Sequence, residues 1–262
     1  MPDKKTAIVT GATGAIGKAI ARQILSTNLY RVIMVTRDPG KAEKAREDII
    51  RATGIEDLFV EITDVSRKHE IFALADRGYS LVHVLVNVAA HSPRPRQETP
   101  EGIERQWATN VLGYYWMMEA FRPHLQAGTP SRIVNVASYW AGGLDLDDPE
   151  FKHRRYNNDT AYRQSKQANR MLSASLADLY RPDGITVNAC HPGDVNSRLS
   201  NDLGYGGHET PDHGADTPVW LAISPEVEGV TGKYFENRQE HNCSFCLNKK
   251  EMKQLLDLVR KY

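Results

Sequence analysis

Cysteine is scarce in this chain: three residues in 262, at Cys190, Cys243 and Cys246. An odd handful in a chain this long makes no disulfide framework, so a reducing compartment is expected. No run of about 18 apolar residues occurs, which excludes an evident membrane-spanning helix. The start, MPDKK, enters a strand-like run without the apolar stretch of a secretory signal, and a cytoplasmic protein with no membrane anchor is expected. Charge of one sign is missing too, since 33 Lys plus Arg balance 33 Asp plus Glu. No global field therefore draws nucleic acid or an acidic membrane surface, and the expected partner is a small molecule. Repeats, low-complexity tracts and linkers are absent as well, so residues 1–262 are read as a single domain.

What the chain does contain is a recurrence of short β-branched runs with helical segments between them. They are TAIVT from Thr6, RVIMVT from Arg31, LFVEIT from Leu58, VHVLVNV from Val82, RIVNVAS from Arg132, ITVNA from Ile185 and GKYFEN from Gly232. Near-continuously apolar strands alternating with helices predict a doubly wound parallel α/β sheet of about seven strands, covered on both faces. A ligand in such a sheet sits outside the carboxyl ends of the strands. Three turn-rich stretches, 91–102, 141–160 and 193–218, are therefore read as loops lining the site, the last as a substrate loop with His208 and His213.

TGATGAIG, Thr10 to Gly17, joins the first strand to a helix marked by Ile16, Ile20 and Ile24. Gly11, Gly14 and Gly17, three apart, suit a turn whose backbone presses close against something. The amides and positive end of the following helix suit an anion, most simply the pyrophosphate of a dinucleotide. At the end of the second strand an NAD site wants a carboxylate for the ribose hydroxyls, whereas TRD offers Arg37 for a 2′-phosphate. NADPH is expected in preference to NADH, with Asp38 next door softening the choice.

The segment AYRQSKQANRMLSASLADLY reads as a helix with Ala168, Leu172, Leu176 and Leu179 on one stripe. Tyr162 and Lys166 are four apart and share a face. An ammonium beside a phenol favours the phenolate and lowers a pKa that is ordinarily about 10, so the pair can shuttle a proton. Ser138, closing the fifth strand, can polarise a substrate oxygen. Tyr139 and Trp140 are candidates for an apolar pocket wall, and YYWMM, Tyr114 to Met118, reads as core or an oligomer contact. HNCSFC sets Cys243 and Cys246 beside His241. No second pair completes four zinc ligands, so no metal is expected and these cysteines are read as ordinary thiols of a surface loop.

Taken in order, the glycine turn, TDV at Thr63, NVAA at Asn87, TNVLG at Thr109, VNVAS at Val134, AYRQSK at Ala161 and HPG at His191 resemble the short-chain dehydrogenase/reductase family, from Thr6 to about Asn237. RVIMVTRDPGKAEKA, AYRQSKQAN and PEVEGVTGKYF are most similar to its retinol-dehydrogenase-like carbonyl reductases. The resemblance implies a Rossmann fold and a catalytic set of Asn110, Ser138, Tyr162 and Lys166. Tyr162 would be the acid and base, Lys166 would lower its pKa and hold the nicotinamide ribose, Ser138 would orient the carbonyl, and Asn110 would keep a relay water. The implied cofactor lining is Gly11, Thr13, Gly14, Ala15, Ile16 and Gly17 in the turn and Arg37 at the 2′-phosphate. It continues with Asp64 and Val65 at the adenine, Asn87 and Ala89 in the cleft, and Pro192, Gly193 and Val195 near the carboxamide. Two departures stand out: members usually carry glycine at the position of Ala15, and NNAG where this chain has NVAA.

The activity so implied is NADPH-dependent reduction of the carbonyl of a small aldehyde or ketone, or the reverse oxidation of an alcohol. Two alternatives stay open: reduction of a conjugated carbon–carbon double bond with the same tyrosine–lysine pair, and a non-catalytic NADPH-binding sensor or scaffold. Within the family the helix carrying YYWMM often pairs with its copy, which leaves a homodimer open.

Overall fold

The computed structural model describes residues 4–262; Met1 to Asp3, part of the MPDKK start, lie outside them. Among the described residues the strands are β1 (Lys5–Thr10), β2 (Tyr30–Thr36), β3 (Leu58–Ile62), β4 (Val84–Asn87), β5 (Ser131–Val136), β6 (Ile185–His191), β7 (Tyr234–Glu236) and β8 (Gln239–His241). They form one sheet in the order β3-β2-β1-β4-β5-β6-β7-β8, parallel from β1 to β7 and closed by an antiparallel β8. The helices are α1 (Ala15–Ser26), α2 (Pro39–Thr53), α3 (Lys68–Ala75), α4 (Gly113–Ala127), α5 (Asn158–Tyr180), α6 (Arg198–Asp202), α7 (Pro211–Ile223) and α8 (Lys249–Val259).

Strand side chains alternate between two cores because successive residues of a strand point to opposite faces. Ile8, Ile33, Val35, Leu85 and Ile133 pack with α3, α4, α5 and α8. Their neighbours Ala7, Val9, Val32, Met34, Val84, Val86 and Val134 pack with α1, α2 and α7. The near-continuous apolar runs of the sequence are thus the signature of a sheet dry on both faces.

Three expectations are corrected. The sheet has eight strands, not seven: β7 and β8 form a hairpin whose two turn residues, Asn237 and Arg238, have φ of 48° and 60°. That is the twist a two-residue hairpin needs, supplied here without the glycine that usually announces it. The stretches read as loops are partly helical: α5 begins at Asn158, Ser197 caps α6, and Thr210 caps α7 with Pro211 in its first turn. Finally, Cys243 and Cys246 are a disulfide rather than free thiols, because the short 3₁₀ turn Ser244–Leu247 brings their Cα atoms to 5.2 Å. Cysteine content therefore carries no argument for a reducing compartment.

Tyr114, Tyr115, Trp116, Met117 and Met118 are core residues, packed in the same cluster as Met252, Leu255, Leu256 and Val259 of α8. The carboxyl-terminal helix shares the burial of that side of the sheet. Leu255 is fully buried there. Leu255→Ala is expected to cost about 2–5 kcal/mol, read as a lower urea midpoint with an unchanged slope.

Candidate active site

The strand order reverses between β1 and β4, which opens a crevice at their carboxyl ends. The glycine turn crosses it. Gly11 has φ +64°, and a Cβ there would stand 2.7 Å from the Cα of Ala89 in the loop after β4. A Cβ on Gly17 would stand 2.4 Å from the Gly11 carbonyl oxygen. These two glycines therefore let backbone meet backbone, while Gly14 caps α1 with no side-chain hydrogen bond to its first turn. The nearby hydroxyls are engaged elsewhere: Thr10 Oγ1 accepts the amides of Val88 and Ala89, and Thr13 Oγ1 lies 3.1 Å from Thr36 Oγ1. A helix start left open in this way suits an anion, and the residues present fit a dinucleotide's pyrophosphate.

Around that turn, Arg37 is exposed just past β2, and its charge acts on both Asp64 and His91. Asp38 faces away from this role: its carboxylate accepts the Lys41 amide at the start of α2 and pairs with the Lys41 ammonium. Burial pushes the Asp64 carboxyl up, but hydrogen bonds from Ser66 and the charges of Arg105 and Arg37 outweigh it and hold the group below its ordinary value. Val65 is buried with its carbonyl against Gly113. Asn87 is turned into the sheet, where its amide donates to Asn135, and Asn135 in turn donates to Ser173 of α5. Its Oδ1 is buried and has no hydrogen-bond partner among the described residues.

At the carboxyl end of β5, Ser138 is 5 % exposed, accepts the Trp140 amide at 3.2 Å, and is backed by Arg170, whose guanidinium donates to its carbonyl. Tyr162 and Lys166 stand on one face of α5, a helix capped by the Asn157 side chain. Lys166 is 2 % exposed, and its Nζ donates to the Val136 carbonyl at 2.8 Å. Burial drags its amine down to about 7. Burial likewise pushes the Tyr162 phenol up to about 12, against a lowering by the Ser138 hydroxyl. The expected lysine-driven depression of the phenol is not present in this state: Nζ is bonded to Val136 and lies 5.6 Å from the Tyr162 ring centre, so desolvation decides. Asn110 sits in a π-helical turn, Trp107–Leu112, and clamps His91 through both its amide and its carbonyl, at 2.9 and 3.0 Å.

A cavity of about 270 Å³ opens beside these groups. Ser138, Tyr162, Ile16, Pro192, Gly193 and Val195 converge on it. Tyr139 and Trp140, expected as a pocket wall, line it together with Tyr205 and His191, which sequence reasoning did not single out. Tyr205 stacks edge-on against Trp140 with ring centres 3.7 Å apart. His191 meets Tyr139 edge-on at 4.5 Å, is lowered to about 4 by burial, and leaves Nδ1 without a partner. Tyr139 donates to Asp194.

A family model described as short chain dehydrogenase matches residues 5–205. The chain belongs to the short-chain dehydrogenase family. Human retinol dehydrogenase 14 is 32% identical over 267 residues, covering 90% of this chain and 79% of that protein. A probable oxidoreductase of Streptomyces antibioticus is 33% identical over 260 residues, with coverages of 90% and 86%. Salutaridine reductase from Papaver somniferum shares the fold at a TM-score of 0.73, with 22% identity and coverages of 89% and 100%. The chain is an oxidoreductase of this family, whose members bind nicotinamide cofactors, and its described residues contain no helix long and apolar enough to cross a membrane.

A short-chain dehydrogenase with so dry a lysine carries a stability cost. Below about pH 7 the amine is charged in both folded and unfolded chains, and the folded state bears the full desolvation; the cost is relieved as pH rises toward the ordinary 10.5. Lys166→Met removes it, and Val136 keeps the hydroxyl of Tyr114 as a donor at 3.3 Å. The variant is expected to melt several degrees higher than the parent at or below neutral pH, with the gain shrinking above it. Paired thermal melts over a pH series check this.

Proposed function

We propose that the chain is an NADPH-dependent reductase of small, largely apolar aldehydes or ketones, acting in reverse on the matching alcohols. The observation that carries this reading is the meeting of Ser138 and Tyr162 in one cavity wall, with Lys166 buried a turn away on the same helix. The aromatic wall of Tyr139, Trp140 and Tyr205 supports a flat apolar substrate. Arg37 supports the phosphorylated cofactor, since a guanidinium binds phosphate through paired hydrogen bonds and the neighbouring Asp38 is committed to α2.

The glycine turn and the open end of α1 would hold the pyrophosphate, Arg37 the 2′-phosphate, and the residues around Pro192 and Gly193 the nicotinamide end. When bound, the nicotinamide supplies or accepts the hydride. The chain supplies the proton. Ser138, its oxygen oriented by the Trp140 amide, can donate to the substrate oxygen. Tyr162, held protonated at neutral pH by its raised pKa, is the donor that completes the alcohol. Lys166, when charged, lowers the cost of the phenolate left behind.

Two measurements test the reading. NADPH oxidation over a panel of aldehydes, ketones, quinones and enones is expected to yield alcohols, with enones giving allylic alcohols; saturated ketones would identify an alkene reductase instead. Arg37→Ala is expected to lower the ratio of NADPH to NADH affinity at least about ten-fold, the loss of one charge-assisted phosphate contact. An unchanged ratio would remove the cofactor assignment.

A further inference from the structure

At the opposite edge of the sheet from Tyr162, around the amino ends of β1, β2, β5 and β6, lies a second cavity of about 440 Å³. It is larger than the first. Strand alternation explains its lining. Lys5, Tyr30 and Arg132 each stand two residues before a core residue of the α7-facing side, Ala7, Val32 and Val134. At these strand ends the apolar row gives way to polar side chains with the floor of the sheet beneath them.

The chemistry of the lining is one-sided. Arg181 at the rim pairs with Asp178 at 3.9 Å, and the remaining cations of the lining, Lys5 and Arg132, outnumber its one carboxylate, Glu228, in a chain whose charges balance overall. Arg132 is part-buried, and its guanidinium reaches only neutral partners, donating to the carbonyls of Leu221 at 3.3 Å and Ser224 at 2.6 Å. Its charge bears on the Tyr30 phenol, which is 7 % exposed. His83 accepts the Thr6 amide at Nδ1, so the neutral ring carries its proton on Nε2 and is a donor there. Ammonium, guanidinium, phenol and imidazole N–H are all donors; the group that satisfies them together is an acceptor-only anion. Ala222 and Ile223, from the end of α7, give the cavity an apolar side.

We propose that this cavity is a second small-molecule site, for an organic anion whose carboxylate is taken by Arg132, Lys5 and Tyr30 and whose apolar body rests on Ala222 and Ile223. None of these residues belongs to the reductase site, so the proposal stands or falls independently of the activity.

The test is calorimetric titration of the full chain with benzoate and with its neutral isostere benzamide, together with methyl NMR of Ile223. Benzoate is expected to bind saturably, one per chain, at least about ten-fold tighter than benzamide, and to shift the Ile223 methyl. Glu228→Gln is expected to tighten benzoate several-fold, and Arg132→Met to weaken it at least about ten-fold. Arg132 also holds two carbonyls. If that variant fails to fold, Lys5→Gln reads the same electrostatic dependence at a strand end. Absence of saturation, equal affinity for the amide, an unmoved Ile223 methyl, or indifference to both Glu228→Gln and Lys5→Gln would each overturn the proposal.

Discussion

A buried hydrogen bond from the Lys166 amine to the Val136 carbonyl, flanked by those from Arg170 to the Ser138 carbonyl and from Asn135 to the Ser173 hydroxyl, pins the middle of α5 to the end of β5. Much of the site follows from that pin. With the helix fixed at this register, the residue one turn earlier, Tyr162, stands beside Ser138, which follows β5 by two residues. Arg170, one turn later, reaches the Ser138 carbonyl from behind and lies over the Tyr234 ring at 3.5 Å. One helix face thus fixes the serine from two sides and sets the tyrosine against it.

The same burial that gives precision sets the electrostatics. Desolvation penalises whichever form is charged, so it raises the phenol and lowers the amine together. The resting pair is a protonated tyrosine beside a lysine poised near neutrality. His191, also held neutral by burial, adds no charge to the cavity. The price of such a site is a locally unfavourable amine, offset by the two apolar cores on either side of the sheet.

Much of this was legible in the sequence, for identifiable reasons. The strands of a sheet buried on both faces are nearly continuous apolar runs, and Tyr162 and Lys166 announce a shared helix face through their spacing. The glycine turn was legible as a close approach, although Gly11 and Gly17 approach backbone rather than reserve space for a ligand. What stayed hidden depends on tertiary partners. Asn237-Arg238 turns a hairpin with arginine where glycine usually stands, and Cys243 meets Cys246 only because the intervening turn is 3₁₀. Tyr205 and His191 reach the cavity from distant segments, with no periodicity to mark them. The direction of the Tyr162 shift could not be read either, because a neighbouring lysine lowers it and burial raises it, and only the packing says which is larger.

The most direct test of the account is NADPH-dependent turnover by Tyr162→Phe beside the parent, with cofactor affinity measured on both proteins. The account predicts a fall in kcat of about 10²- to 10⁴-fold with cofactor affinity nearly unchanged, because the phenol hydroxyl acts on the substrate oxygen. Turnover that survives the substitution would contradict the assignment of the proton to Tyr162, and with it the role given to the pinned face of α5.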